Sequence, residues 1–182
     1  MENDTWEGGV PRTFGSGPSD PIRLVDEPGT WVEIEVSAPP STLWAIVTDI
    51  NLPSRFSGEF LGAEWTGGGP AIGASFIGRS HHPAMGEWEV ESLVDHFEID
   101  RSFGWATVNP RVPGSRWRFD LTANPEGTLL RFSMSMGPGP SGISFAINAM
   151  PEKEPRILFK RILEHHANMY RTVEGIKVMA EA

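Results

Sequence analysis

The sequence predicts one α+β domain in which a curved antiparallel sheet wraps around a long C-terminal helix. Segments of alternating apolar and polar residues, separated by turns rich in Gly, Pro and Asn, recur between residues 31 and 136. This is the pattern of successive antiparallel strands. The last helical segment is the longest, at about 25 residues or about 38 Å, which is enough to cross a small sheet. Two short helical segments between the first and second strands complete the pattern.

The composition argues against several classes of protein. The chain has 182 residues, and its 15 basic and 24 acidic residues give a net charge of −9. We therefore expect no nucleic-acid partner, because such binding relies on a basic surface. No apolar run reaches the roughly 18 residues of a membrane span, and the chain has no cysteine for a disulfide or a thiolate metal site. The acidic, Gly-rich N-terminus does not resemble a secretory signal, so we expect a cytoplasmic protein.

A single domain, residues 30–182, is expected to follow an N-terminal tail. Residues 1–29 are rich in Gly, Pro and acidic side chains and show no sustained periodicity. Such a composition is typical of chain termini that remain largely disordered. We found no internal repeat and no sign of a second domain.

The elements of the domain follow from their periodicities. The first strand, 31–37, alternates apolar residues with two glutamates, and Pro39 and Pro40 begin a helix directly after it. A second short helix is expected at 52–57. Six strands joined by short turns, and therefore forming an antiparallel meander, are then predicted at 60–66, 72–81, 87–97, 102–108, 116–123 and 128–136. A short helix at 143–150 precedes the long helix at 155–179, whose apolar stripe consists of Leu158, Ile162, Met169, Val173 and Ile176.

This succession of elements is similar to the helix-grip fold. It resembles most closely the SRPBCC or START-like superfamily, which includes START lipid-transfer domains, plant allergen-type carriers and polyketide cyclase/dehydrase-like proteins. The opening VSAPPSTLWAIVTDINLPSRF resembles the start of that fold, and IGASFIGRSHH resembles its Gly-x-x-Phe-x-Gly-x-Asn strand, with Ser80 at the Asn position. The segment from Trp88 to Val94, FGW and RWRFDL also fit, so the resemblance covers about residues 31–180. It implies the fold more strongly than any one function.

A sheet curved around one helix leaves space on its concave side, where a small apolar ligand would bind. The strand alternation assigns five aromatic residues to that side: Phe76, Trp88, Trp105, Trp117 and Phe119. These rings either surround a ligand or pack against the long helix. Gly78, Ser80 and Ser92 share the same face, where the glycine bends the strand or leaves room and the hydroxyls orient a ligand or bond to nearby backbone. From the helix we add Ile162, His165 and Met169.

The histidines give few further sites. We expect His165 to point toward the sheet, where it could hydrogen-bond a ligand, act as an acid or base, or be satisfied by backbone or water. We expect His166 to be turned away from the sheet. His81 and His82 face opposite sides of one strand and have no obvious carboxylate partner, and His96 is expected to be exposed near a strand end. We predict no metal site and no cofactor.

Three functions remain open. The first is a non-catalytic carrier or sensor of a lipid, polyketide or aromatic metabolite, favoured by the aromatic face and by the lack of an established catalytic motif. The second is an enzyme resembling aromatase/cyclases, in which His165, Ser80 and Ser92 would be the catalytic candidates. The third is a protein-interaction module, which would require an exposed apolar patch.

Overall fold

The computed structural model describes residues 21–182. Within that range one seven-stranded antiparallel sheet has the order β1-β7-β6-β5-β4-β3-β2. Its strands are β1 (Gly29–Val36), β2 (Phe60–Trp65), β3 (Ser75–His82), β4 (Gly86–Glu98), β5 (Ser102–Thr107), β6 (Ser115–Asn124) and β7 (Gly127–Met136). The helices are α1 (Pro40–Val47), α2 (Gly142–Ala149) and α3 (Glu154–Ala180), with short 3₁₀ turns at Leu24–Asp26, Leu52–Arg55 and Pro151–Lys153. The predicted α+β helix-grip architecture, with a six-stranded meander and a long C-terminal helix, is confirmed.

The start of the chain is only partly described. Of the predicted tail, residues 1–20 lie outside the described residues. Leu24 lies in the first 3₁₀ turn, and its N–H donates to Glu154 Oε1 over 2.8 Å. The first strand begins at Gly29, two residues earlier than the alternation indicates, because Gly29 and Thr30 already pair with β7.

The long helix lies closer to one edge of the sheet, at β1, than to the other edge. α3 packs mainly against β1, and its predicted apolar stripe is buried throughout: Leu158, Ile162, Met169, Val173 and Ile176. This stripe meets the concave face of the sheet, where Val32, Leu130 and Phe132 are buried. No helix among residues 21–182 is long and apolar enough to span a membrane.

The C-terminal part of α3 is in close contact with the segment that follows α1. Gly175 meets the ring of Phe56, and a Cβ built on this glycine would lie 2.6 Å from Phe56 Cδ1. Arg171 Nε donates to the Phe56 carbonyl oxygen over 3.3 Å, and the Gly58 N–H donates to Asn168 Oδ1 over 3.3 Å. The absence of a side chain at Gly175 therefore lets an aromatic ring rest directly on the helix backbone.

Two strands depart from the predicted pattern. β3 begins at Ser75 rather than residue 72: Gly73 has φ 79°, and Ile72 is 63% exposed, so the turn extends further than the alternation indicates. In β4 the register shifts between Val94 and His96, which is a β-bulge. Because a bulge reverses the alternation, His96 lies opposite Gly104 on the convex face, although it shares sequence parity with Trp88. It is partly covered there, and its Nε2 lies 3.4 Å from Glu98 Oε1.

Candidate ligand-binding groove

The aromatic residues on the concave face form one continuous contact network. Phe76 and Trp105 have ring centroids 6.0 Å apart, and Trp105 stacks on Trp117 at 6.4 Å. Phe119 stacks on Phe132 at 4.0 Å, and Trp105 lies 6.3 Å from Phe119. Trp105, Trp117 and Phe132 come from the neighbouring strands β5, β6 and β7, where cross-strand partners on one face lie within reach of each other. Phe76 on β3 reaches Trp105 on β5 across β4.

These rings differ in how deeply they are covered. Phe76 and Phe119 are 4% and 1% exposed and belong to the core. Trp105 and Trp117 remain partly exposed at the centre of the same face, and so does Trp88 on β4. α3 packs mainly against β1, at one edge of the sheet, and the tryptophans farther along the concave face keep part of their surface exposed. We call the region between α3 and the concave face of β3 to β6 the groove.

Two residues predicted from the helix belong to the core instead of the groove. Ile162 and Met169 are 0% and 1% exposed. They lie on the stripe that packs against the sheet, so they hold α3 in position and leave little surface for a ligand. Gly78 also has a packing role, because a Cβ there would lie 3.2 Å from Phe60 Cε2. The ring of Phe60 therefore fills the space beside Gly78, where the sequence analysis expects a strand bend or a ligand.

Two serine hydroxyls on the concave face have no protein partner among residues 21–182. Ser92 is 3% exposed and lies opposite Phe76 on β3 and Thr107 on β5. Ser80 is partly exposed and lies opposite Trp88. The two serines stand four residues apart in register, or about 13 Å along the strands. Each is free to bond to a ligand, but they do not converge on one point.

His165 faces the groove. Its ring meets the ring of Trp117 edge-on, with centroids 5.1 Å apart, and the side chain remains partly exposed. No group in the described chain hydrogen-bonds to it. Burial lowers the pKa of His165 well below its ordinary value, and the charges of Arg161 and His82 lower it further. The imidazole is therefore neutral near pH 7, with one donor and one acceptor nitrogen available.

The expectation that His166 points away from the sheet is wrong. His166 is 8% exposed, and its Nδ1 lies 2.9 Å from Thr30 Oγ1 on β1. Burial lowers the pKa of His166 as well. The spacing contains the signal: His166 is four residues after Ile162 and three before Met169, so it shares their stripe. Both adjacent histidines face the sheet because the covered face of α3 is wide enough for two neighbouring positions.

An ionic cluster beside the groove was not predicted. Arg161 on α3 donates to both carboxylate oxygens of Glu59 and, over 3.2 Å, to Glu164 Oε2. Arg161 and Glu59 have side chains 11% and 13% exposed. His82 Nε2 lies 3.4 Å from Glu164 Oε2, so this histidine does have a carboxylate partner. Glu59 lies in a loop 102 residues before Arg161, and such distant pairing leaves no periodic signal in the sequence.

The charges within this cluster compensate each other. Burial alone lowers the pKa of Arg161, but the hydrogen bonds and charges of Glu59 and Glu164 raise it overall. Lys160 Nζ approaches Glu164 Oε1 at 3.8 Å from the solvent side, with its own side chain 76% exposed. In the described part of the chain no group of three or more His, Asp or Glu is arranged to hold a metal ion.

A depression opens mainly on the convex face, and Trp117 also contributes to its lining. Its volume is about 500 Å³, and three arginines contribute to its lining: Arg116, Arg118 and Arg131. Each is paired with an acidic side chain, with Asp95, Asp120 and Glu33 respectively. Arg131 and Glu33 are direct cross-strand partners, Arg116 reaches from β6 to Asp95 on β4, and Arg118 pairs with Asp120 on its own strand. These ion pairs explain the arginines as parts of the sheet surface.

Comparison with known proteins agrees with the fold described above. A sequence model of the family described as polyketide cyclase / dehydrase and lipid transport matches residues 30–157. No curated protein sequence matches the chain. The fold is similar to that of a polyketide-cyclase-like protein from Corynebacterium glutamicum, with 28% sequence identity and a TM-score of 0.59, covering 83% of this chain and 90% of that chain.

Two similar solved structures are larger. The di-domain ARO/CYC protein StfQ from the steffimycin biosynthetic pathway matches with a TM-score of 0.63 and 14% identity, over 84% of this chain and 50% of that chain. The di-domain ARO/CYC protein BexL matches with a TM-score of 0.61 and 16% identity, over 85% of this chain and 50% of that chain. The present chain thus spans about half the length of each di-domain protein, and at these identities the likeness concerns the fold.

Proposed function

Because the chain belongs to the polyketide cyclase / dehydrase and lipid transport family, we propose that it binds a small, largely apolar molecule in the groove, as a carrier or sensor. The observation that carries the proposal is the partial exposure of Trp105 and Trp117, which lie beside the buried rings of Phe76 and Phe119. A fully packed core covers such rings completely, whereas a binding site leaves their faces available to a ligand. We assign Trp88 and the unpartnered Ser80 and Ser92 to the same site.

Native mass spectrometry of the purified protein is the direct test. A stoichiometric small-molecule adduct, released and identified after denaturation, supports the proposal. The matched variants are Trp117→Ala, which removes a ring from the groove, and Trp31→Ala, which removes a ring on β1 that lies over Arg131. We expect Trp117→Ala to lose the adduct and Trp31→Ala to keep it. A bare mass after incubation with fatty acids, flavonoids and polyketide mimics would count against binding.

The second candidate is a polyketide cyclase or dehydratase acting in the same groove. It is favoured by His165, which is neutral, free of protein hydrogen bonds and in contact with a groove tryptophan. A neutral imidazole can accept a proton from a substrate, and the ring of Trp117 can hold a planar substrate against it. The separation of Ser80 from Ser92 favours the carrier, since catalysis by all three residues would require them to meet.

The two candidates differ in the effect of His165→Gln. For a carrier, the variant keeps binding within a few fold, because Gln also supplies one donor and one acceptor. For a cyclase, it keeps binding and loses turnover of a poly-β-ketone analogue by about 10²-fold or more. Turnover that is unaffected by His165→Gln would exclude the catalytic role for this residue.

A further inference from the structure

Exposed apolar side chains collect at one end of the domain. Phe145 on α2 is 81% exposed, and exposed apolar residues also occur in the turn between β3 and β4 and in the loop between β5 and β6. The packing of α2 does not use Phe145, because the helix is held by the buried Ile147, which points about 200° away around the helix axis. Single exposed apolar residues are common, but a group of them around a free aromatic ring indicates a contact surface.

Direct contacts join the segments that carry these side chains. A Cβ built on Gly142, the first residue of α2, would lie 3.6 Å from Met85 Sδ in the turn between β3 and β4. The Gly139 N–H donates to the Pro113 carbonyl oxygen over 2.8 Å, so the loop between β5 and β6 pairs with the segment that leads into α2. We call the surface formed by these segments the apolar end, and its exposed apolar residues are Met85, Val108, Val112 and Phe145.

The apolar end carries little net charge although the chain is acidic. The segments that adjoin this end of the strands are 21–28, 56–59, 83–85, 108–114 and 137–156. Four basic and five acidic residues lie in them: Arg23, Arg111, Lys153, Arg156, Asp26, Glu27, Glu59, Glu152 and Glu154. These give a formal charge of −1, against −9 for the whole chain, and Glu59 is already paired with Arg161 on α3. The surface around Phe145 is therefore close to neutral.

These charges narrow the choice of partner. A second copy of the chain would bring another net charge of −9, and like net charges oppose association. An anionic membrane would repel the chain for the same reason, and the near-neutral apolar end offers it no compensating attraction. A zwitterionic bilayer has no net charge, and its interface accepts exposed aromatic and aliphatic side chains.

We propose that the apolar end docks the domain on a zwitterionic lipid bilayer, with Phe145 entering the interface. Ser80 and Trp88 pair across β3 and β4, two residues from the ends of these strands at the same turn. Docking would therefore bring this part of the groove close to the lipid. The inference concerns a partner surface and does not require that the groove binds a ligand.

The experiment is flotation of the full chain with vesicles of phosphatidylcholine, and with vesicles in which part of that lipid is replaced by anionic phosphatidylglycerol. We expect binding to phosphatidylcholine and weaker binding to the mixed vesicles at low ionic strength, because the net charge of −9 is repelled there. No flotation with phosphatidylcholine, or a preference for the anionic vesicles, would overturn the proposal. Sedimentation equilibrium without lipid tests the second copy: a dimer that Phe145→Ala dissociates would overturn the proposal as well.

Matched variants test the role of the apolar end. Phe145→Ala removes the exposed ring, and Ile99→Ala shortens a side chain that is 69% exposed in the turn between β4 and β5, at the other end of the sheet. Neither change touches the core. We expect Phe145→Ala to lower the partition coefficient on phosphatidylcholine by about tenfold and Ile99→Ala to keep it. Unchanged partition of Phe145→Ala would overturn the docking surface.

A single label reports the orientation of the docked domain. Because the chain has no cysteine, Ala149→Cys on α2 and Ala123→Cys at the other end each place one polarity-sensitive dye at an exposed position. We expect the fluorescence of the label at position 149 to shift to the blue when phosphatidylcholine vesicles are added, and the label at position 123 to stay unchanged. A blue shift at position 123, or none at position 149, would overturn the proposed orientation.

Discussion

Replacement of Gly175 by alanine tests how α3 is seated in the domain. At an unobstructed helical site, alanine in place of glycine stabilises a protein by about 1 kcal/mol. At Gly175 the added methyl would lie 2.6 Å from Phe56 Cδ1, and Phe56 would have to move. Because overpacking costs about 1–3 kcal/mol, we expect the free energy of unfolding to fall by about 1 kcal/mol after the helical gain is subtracted.

The assay is urea unfolding followed by tryptophan fluorescence and far-ultraviolet circular dichroism, with an unchanged m-value required for the comparison. Ala167→Gly, at an exposed position of the same helix, measures the helical contribution alone and should cost about 1 kcal/mol. Phe56→Leu shortens the obstructing side chain, so in the double variant the alanine methyl occupies the vacated room. We expect a coupling energy of about 1 kcal/mol between the two sites.

One result would refute the contact between Phe56 and α3. If Gly175→Ala increases the free energy of unfolding by about 1 kcal/mol, and its effect adds to that of Phe56→Leu, then Phe56 does not rest on the helix. The seating of α3 and the position of its histidines over the sheet would then need to be revised.

Three further predictions concern buried polar groups. His165 and His166 have lowered pKa values in the folded protein, so below about pH 6.5 the unfolded chain binds more protons than the folded one. The free energy of unfolding should therefore fall as the pH drops below that value, by up to about 1.4 kcal/mol per pH unit for each histidine. His165→Gln should reduce this slope when urea unfolding is measured at several pH values. Thr30→Val leaves the partner nitrogen of His166 unsatisfied and should cost about 1–3 kcal/mol, whereas Thr30→Ser should cost less by the same unfolding assay. Glu59→Gln breaks a buried ion pair and should cost about 3 kcal/mol, while Glu64→Gln, whose side chain is 82% exposed, should change thermal or urea stability by less than about 0.5 kcal/mol.

The architecture could be read from the sequence because strand alternation and a long apolar stripe are local, repeated signals. Trp105, Trp117 and Phe119 lie on the predicted face because β5 and β6 are regular. His96 lies on the face opposite to that of Trp88 although the two share sequence parity, because one extra residue in β4 reverses the alternation; the predicted exposure of His96 is only partial. The strand predicted from residue 72 begins at Ser75 because Gly73 takes a left-handed conformation that an alternation count does not detect.

The site was harder to predict than the fold. The sequence predicts correctly that His165 faces the sheet, but the prediction for His166 is wrong. The covered stripe of α3 is wider than the single line of apolar residues from which the two orientations are predicted. The ionic cluster depends on Glu59 meeting Arg161 across 102 residues. Such contacts follow from tertiary packing and have no local pattern. Ile162 and Met169 were predicted on the correct face, yet their depth in the core depends on how α3 leans toward β1.

The order of the strands also bears on how the chain is made. Among residues 21–182, β1 pairs only with β7, and Thr30 lies opposite Met134, 104 residues later. At a synthesis rate of about 5–20 residues per second, the first strand waits roughly 5–20 seconds for its partner to emerge from the ribosome. During that interval one face of β1 carries Glu33 and Glu35, whose charges discourage pairing with other chains. The meander can form before the ends of the domain meet, so joining β1 to β7 and docking α3 come last in synthesis.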